Sequence, residues 1–435
     1  MVWRSWRRCW HTPCRWHRDR TSNTGSPPVT DRRQYPVLSV EEARERILAF
    51  VAPTEKQSLP ILQALGTTLY VDQVAETSIP PHNNSAMDGY AIRHVDLAAD
   101  GETMLRVVGQ VPAGSVWPGT LGAGEAVRIM TGAPMPAGAD TVVRFEDARA
   151  EGSSVHLTRR PRQGADVRLA GEDVAPGQIV LRAGTRLGPA EIGMLASLGR
   201  PTVEVHRRPR VAILATGDEV AAIDEPLQPG KIRNINSYTN AAQAARAGAE
   251  PLVLEAAPDR REALQARLRQ ALDLRADLII TSGGVSVGDF DLVKQVLSSE
   301  GSLEFWWVNM KPGRPLAFGT LGGIPLLALA GNPVAAMLGM LLFGVPAIEH
   351  AAGLTRQPTV KLRARLAEPI THKDGRRHYL RVRLAPGADE PLARLTGDQG
   401  SGILTSMVEA DALAIIPESV DHLEAGSLVE VIPLR

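Results

Sequence analysis

The spacing of apolar residues divides the chain into stretches of different period. Ser39-Val40-Glu41-Glu42 reads as a capping box, in which the Ser39 hydroxyl accepts from the third helical amide while Glu42 reaches back. Helical spacing then continues to about residue 50. A second helix is expected over residues 59–65 and a strand over 67–71, before Ile79-Pro80-Pro81 interrupts regular structure. From residue 91 to about 169 the pattern becomes short β-like runs such as Leu105-Arg106-Val107-Val108 and Thr141-Val142-Val143, separated by Gly and Pro. Residues 177–187 and 195–205 read as mixed and linker-like, ending at Arg207-Arg208-Pro209.

Beyond that point apolar strands alternate with amphipathic helices. Strands are expected at 211–215, 252–254, 278–281, 305–308 and 326–330, and helices at 240–247, 260–274 and 292–297. Such alternation predicts a parallel sheet covered on both faces. The apolar run 334–348 is shorter than the roughly 20 residues of a membrane span and follows Gly331-Asn332-Pro333, so a buried helix is expected. Period-two alternation in 360–365 and 379–384 predicts a small antiparallel β domain at the end of the chain.

Composition narrows the class. With 435 residues, 44% of them hydrophobic and 22% charged, the chain suits a globular protein of roughly two to four domains. The balance of 48 basic and 48 acidic residues hides an asymmetry. Residues 1–35 carry eight Arg and two Asp, a local charge of 8 − 2 = +6, which leaves −6 for the remainder. A mildly acidic body excludes a nucleic-acid sleeve. Both cysteines, Cys9 and Cys14, lie in the basic stretch, so neither a disulfide framework nor a Cys-based metal site is expected in the body. The basic stretch is read as a disordered or mis-started tail; it lacks the apolar region of a secretory signal, and cytoplasmic location is the expectation.

The polar loops of residues 210–355 carry the candidate chemistry. Thr216-Gly217-Asp218-Glu219 follows the first strand, Ser282 to Asp291 the third, Lys311-Pro312-Gly313-Arg314-Pro315 the fourth and Gly331-Asn332-Pro333 the fifth. In an open parallel sheet, ligands bind beyond these carboxyl ends. Gly283, Gly284 and Gly288, with Ser282 and Ser286 among them, allow backbone amides to approach an anion. Each loop also has a purely structural explanation: Asn332 and Pro333 as a helix start, Gly283-Gly284 as a turn, Asp259 as a helix cap. Together, carboxylates beside Lys311 and Arg314 suit Mg²⁺-assisted phosphate chemistry.

Seven motifs in order carry a resemblance: Asn84-Ser85-Ala86-Met87-Asp88-Gly89-Tyr90-Ala91, Met130-Thr131-Gly132-Ala133, Gly171-Glu172-Asp173-Val174, Thr216-Gly217-Asp218-Glu219, the Ser282–Asp291 loop, Met310-Lys311-Pro312-Gly313 and Gly331-Asn332-Pro333-Val334. Over residues 36–435 the chain resembles the molybdopterin molybdenumtransferases, the MoeA and gephyrin E-domain family. The resemblance implies a multi-domain α/β protein: a discontinuous first domain (36–76 plus 167–206), an inserted β domain (77–166), a central molybdopterin-binding α/β domain (207–355) and a C-terminal β-barrel-like domain (356–435).

It also implies a homodimer whose cleft joins the central domain of one subunit to the inserted domain of the other. The implied reaction inserts molybdate into adenylylated molybdopterin with Mg²⁺-dependent loss of AMP. An adenylyltransferase that supplies the substrate and molybdoenzymes that receive the product are the implied protein partners, with no nucleic acid and no membrane. Asp88, Glu219, Asp291 and Lys311 match positions given catalytic roles, Glu219 and Asp291 also handling the metal. Thr131, Asp173, Asp259, Ser282, Gly283, Gly284, Ser286, Gly288, Arg314, Asn332, Pro333 and Ser401 are carried over as substrate-binding positions. The sequence departs from the family at Arg314, usually Lys, and at Ala330, usually Pro. Arg keeps the charge, whereas Ala relaxes the backbone ahead of a ligand loop. An adenylyltransferase and a scaffolding protein remain as alternative readings.

Overall fold

A computed structural model describes residues 36–283, 301–355 and 359–434. Its centre is a seven-stranded sheet in the order Val37–Leu38, Gly301–Val308, Pro315–Leu321, Ile324–Leu329, Leu278–Ser282, Arg210–Ala215, Glu250–Val253. The last four of these run parallel. Leu278–Ser282 is buried throughout, and Arg210–Ala215 and Ile324–Leu329 are buried in all but their first residue. Their uninterrupted apolar runs match a sheet covered on both faces.

The expected parallel sheet is therefore present, but it is extended by a hairpin that the periodicity did not reveal. Pro315–Leu321 pairs antiparallel with both Ile324–Leu329 and Gly301–Val308. Gly322 and Gly323 make the turn with φ of 56° and 84°, the positive values that a two-residue hairpin requires. Two reversals restore the original heading, so Gly301–Val308 ends at the same sheet edge as the parallel strands.

Helix Val40–Leu48 begins at the expected capping box: the Glu42 amide donates to Ser39 Oγ at 3.1 Å and the Ser39 amide to Glu42 Oε2 at 2.8 Å. Its buried stripe of Val40, Ala43 and Ile47 packs into the central core with Phe343 and Ile348. The preceding strand pairs with Trp307 and Val308. Residues 37–51, grouped by the sequence reading with the first domain, thus pack on the central one, because only that core receives this apolar stripe.

The helix expected over 59–65 is replaced by strand Lys56–Pro60, paired antiparallel with Thr202–His206, and a turn. Pro60 lacks an amide and disfavours the helical region at Leu59. The first linker-like stretch contains strand Ile179–Leu181, and helix Pro189–Ser197 begins between the two stretches and ends within the second. A separate core of Ala64, Leu69, Leu187, Leu195, Val203 and Val205 joins these two distant parts of the chain.

Between them lies a six-stranded sheet built from residues 89–157, with a distinct apolar cluster on each face. Strands Arg377–Ala385, Leu392–Leu395, Leu362–Leu366, Leu428–Pro433 and Ala412–Ile416 close on themselves as a barrel. Strand Met310–Lys311 pairs with Arg377 and His378 and so joins the barrel to the central sheet.

The run after Gly331-Asn332-Pro333 is longer than expected. It forms a continuous 19-residue helix, Pro333–Ala351, long and apolar enough to cross a membrane by length and composition. A five-residue π segment, Met340–Gly344, interrupts its α geometry. Leu338, Met340, Phe343, Ala347 and Ile348 place it in the central core.

Candidate active site

Three loops at the carboxyl edge of the parallel strands enclose a cavity of about 360 Å³. Thr216 and Glu219 come from the loop after the first strand, Ser282 and Gly283 from that after the third, and Ala330 to Pro333 from the last; Pro315 and residues 232–236 complete the wall. The loops are tied together by backbone: the Thr216 amide donates to Ser282 O at 2.9 Å and the Gly283 amide to Leu329 O at 3.3 Å. Gly283 adopts φ of +92°, and a β-carbon there would stand 2.4 Å from the Thr216 carbonyl oxygen. Only glycine allows this approach.

Two helices begin at the cavity. Asn234 to Asn236 and Asn332-Pro333 line it and open helices Asn236–Arg246 and Pro333–Ala351; Asn234 Oδ1 accepts from the Ser237 amide at 3.1 Å. The positive ends of their dipoles favour an anion. The buried atoms Thr216 Oγ1, Ser282 Oγ and Asn236 Oδ1 have no hydrogen-bond partner, a costly arrangement unless a polar ligand completes it. The Asn234–Asn236 segment escaped the sequence reading, although an Asn two residues ahead of a helical pattern is a start signal.

Asn332 occupies the expected N-cap position with Pro333 next, but its side chain makes no capping bond. Its Nδ2 donates to Ser401 Oγ at 2.7 Å, and the Val334 amide donates to Ser401 O at 3.0 Å. The Ser401 turn is braced from the barrel by Arg381, only 1% exposed, whose Nη2 donates to Gly400 O and Nε to Ser406 Oγ, both at 3.0 Å. A buried Arg within a strand carries no local sequence signal.

The two cations stand outside the cavity lining. Lys311 Nζ lies 3.4 Å from Asp374 Oδ2, and the Arg314 guanidinium sits over the Trp307 ring at 4.7 Å. Asp259 does not cap a helix: Arg260 holds the N-cap position of helix Arg261–Asp273. Instead, Asp259 and Asp218 exchange bonds, the Asp218 amide donating to Asp259 Oδ2 at 3.3 Å and the Asp259 amide to Asp218 Oδ1 at 3.0 Å. Gly284, Ser286, Gly288, Asp291 and the helix expected over 292–297 lie outside the described residues.

Asp88 and Thr131 form a unit of their own on the inserted sheet. The Thr131 amide and hydroxyl both donate to Asp88 Oδ1 at 2.7 Å. Neither residue lines the cavity, nor does exposed Asp173, whose amide donates to Ile79 O at 3.1 Å. The amide and then the hydroxyl of Thr131 hold the Asp88 carboxyl below the usual aspartate range. A depressed value means that the ionised clasp is complete above the ordinary aspartate range and is lost as pH falls through the lowered one. A carboxyl NMR titration is expected to show a depressed Asp88 midpoint, and Thr131→Val, which keeps the amide, to recover part of the shift. An ordinary midpoint in the unaltered protein would refute the clasp.

Comparison with known proteins agrees with this architecture. Residues 38–199 match "MoeA N-terminal region (domain I and II)", residues 212–350 "Probable molybdopterin binding domain" and residues 363–434 "MoeA C-terminal region (domain IV)". A molybdopterin molybdenumtransferase of Nostoc sp. is 37% identical over 416 residues, covering 92% of this chain and 94% of that protein. Molybdopterin molybdenumtransferase 2 of Mycobacterium tuberculosis is 36% identical over 403 residues, with 90% and 98% covered. The solved molybdopterin biosynthesis MoeA protein of Pyrococcus horikoshii OT3 has a TM-score of 0.79 at 30% identity, with 91% of this chain and 100% of that one covered. The buried parallel strands, the loops gathered at their carboxyl edge and the closing barrel are thus those of a known enzyme group, and the chain belongs to the MoeA family of molybdopterin molybdenumtransferases.

Proposed function

We propose that this molybdenumtransferase binds adenylylated molybdopterin and molybdate at the cavity between Glu219, Ser282 and Asn332, within a cleft completed by Asp88 and Thr131 of a second copy. The observation that carries this reading is the convergence of two helix amino ends and three partnerless buried oxygens on one cavity at the sheet edge. Helix dipoles favour the phosphate groups, while hydroxyl and amide side chains suit the polar pterin. Lys311 and Arg314, on the loop that contributes Pro315 to the wall, supply positive charge against phosphate or molybdate.

In the reaction the two dithiolene thiols, with two further protons, replace two oxygens of molybdate, which leave as water, and a water molecule adds to phosphorus as the phosphoanhydride bond breaks, releasing AMP and leaving the pterin phosphate. Glu219 with the hydroxyls of Thr216 and Ser282 is a hard oxygen set suited to Mg²⁺, with Asp291 as a further carboxylate; when bound, the ion neutralises charge on the phosphates. Ser401, held by Asn332, orients a donor towards the same edge. Helix starts and stitched loops fix these groups before substrate arrives, so little reorganisation is needed as charge develops.

A second copy is invoked because Asp88 and Thr131, which match the family's cleft, do not line this chain's own cavity. Mixing inactive Asp88→Ala and Glu219→Gln proteins under subunit exchange is expected to restore about a quarter of full molybdate-dependent AMP release, since half of random dimers are mixed and each keeps one intact cleft. No recovery despite demonstrated exchange would refute the shared cleft. Absence of AMP release from adenylylated molybdopterin by the unaltered protein would refute the reaction itself.

A further inference from the structure

Beside the seam between barrel and central sheet lies a side-chain cluster to which the molybdenum reaction gives no role. His372 follows strand Ile370–Thr371, Asp374 occupies the loop and His378 lies in strand Arg377–Ala385. The two imidazoles are stacked with centroids 4.1 Å apart, and their side chains are only 5% and 8% exposed. His378 Nε2 is 2.9 Å from Asp374 Oδ1, and His372 Nδ1 is 3.6 Å from the same oxygen. Neither nitrogen of His372 has a hydrogen-bond partner. A buried imidazole without partners, as at His372, is costly, and two buried imidazoles beside one carboxylate oxygen have the composition of a transition-metal site.

The geometry points to a zinc-binding site formed by His372, Asp374 and His378, with a fourth coordination position left open to water or an anion. The three donor atoms already lie within 4.8 Å of one another. Tetrahedral zinc with bonds of about 2.0–2.1 Å needs donors roughly 3.3–3.5 Å apart, so the widest separation must close by up to about 1.5 Å while the His378–Asp374 pair opens by about 0.5 Å. Imidazole nitrogen with one carboxylate suits zinc and disfavours Mg²⁺, which takes oxygen ligands. The other carboxylate oxygen, Oδ2, is engaged by Arg376 at 2.5 Å and Lys311 at 3.4 Å. These contacts orient the carboxylate with Oδ1 towards the imidazoles, as an outer shell does for a ligand. This inference rests on the cluster's own coordinates and does not depend on the proposed cleft.

The test uses the full-length chain carrying Cys9→Ser and Cys14→Ser, so that thiols near the amino terminus contribute no binding. After chelator treatment, calorimetry with Zn²⁺ is expected to show one tight equivalent, and Co²⁺ substitution the visible spectrum of a four-coordinate ion. His372→Ala and His378→Ala are each expected to weaken binding at least about 100-fold, the upper end of what loss of an outer-shell partner costs. Asp374→Asn, which preserves shape, guards against mere misfolding: with a melting transition in chelator like that of the parent, it is expected to bind about 10- to 100-fold more weakly. Failure of the folded protein to take up zinc, or uptake that none of the three variants changes, would overturn the site.

Discussion

Glu219→Gln is expected to lower kcat/KM for molybdenum insertion by about 10²–10³-fold, the range found when one preorganised polar group is removed from an active site. The substitution keeps size and hydrogen-bonding capacity but removes the charge. Glu219 is exposed and lines the cavity, so its carboxylate is placed for the proposed ligand role and contributes little to the core. Stability is accordingly expected to stay within roughly 0.5 kcal/mol of the parent, as for most surface substitutions. The fold around it is set by backbone: the Ile232 amide donates to Glu219 O at 2.8 Å, a bond that glutamine retains. Single-turnover AMP release together with thermal melting checks both halves. Near-normal turnover would remove Glu219 from the reaction, whereas a large loss of stability would make the activity change uninformative and contradict its exposed placement.

Gly283→Ala should act in the opposite order, through the backbone first. A non-glycine residue at φ of +92° is strained, a cost of roughly 1–3 kcal/mol. The new methyl would also meet Thr216 O at 2.4 Å and Thr216 Oγ1 at 2.9 Å, distances at which something must move. The group that moves is the loop carrying Glu219, because Gly217 and Thr216 lie at the end of the same strand. A lowered melting temperature is expected, together with at least a tenfold rise in the Kd for adenylylated molybdopterin, since each about 1.4 kcal/mol of misplacement is a factor of ten. Isothermal titration with the substrate, below the melting range, reads the second effect separately. An unaltered melting temperature would show that the close approach to Thr216 is absent.

The features legible in the sequence are those with a local cause. Ser39 and Glu42 are three residues apart and cap one helix; the apolar runs near 211, 278 and 326 are strands buried almost throughout. The loops that follow them were assigned to one edge by their order alone, and Glu219, Ser282, Gly283, Asn332 and Pro333 do line one cavity. What escaped depends on distant partners. Strand Lys56–Pro60 exists through its pairing with Thr202–His206, which helical spacing over 59–65 cannot reveal.

The hairpin strand Pro315–Leu321 did have a local signal, the Gly322-Gly323 pair between two apolar runs. The sequence expectations nevertheless leave residues 316–325 unassigned, between the Lys311 loop and the strand expected at 326–330. Lys311 and Arg314 are expected at the ligand loops by motif, yet their positions beside Asp374 and Trp307 depend on side chains that no spacing rule connects. Arg381 and the His372 cluster are of the same kind: a buried charge or imidazole acquires meaning only from what surrounds it.

The edge strand Val37–Leu38 has a further consequence for how the protein is made. Its partners Trp307 and Val308 follow it by 307 − 37 = 270 residues. During synthesis the strand and the stripe of Val40, Ala43 and Ile47 emerge early but cannot be covered until most of the chain has left the ribosome. Such high contact order slows folding and prolongs the exposure of apolar surface. A nascent chain stopped short of residue 308 therefore presents this early segment to chaperones, and the central sheet closes its edge only late in translation.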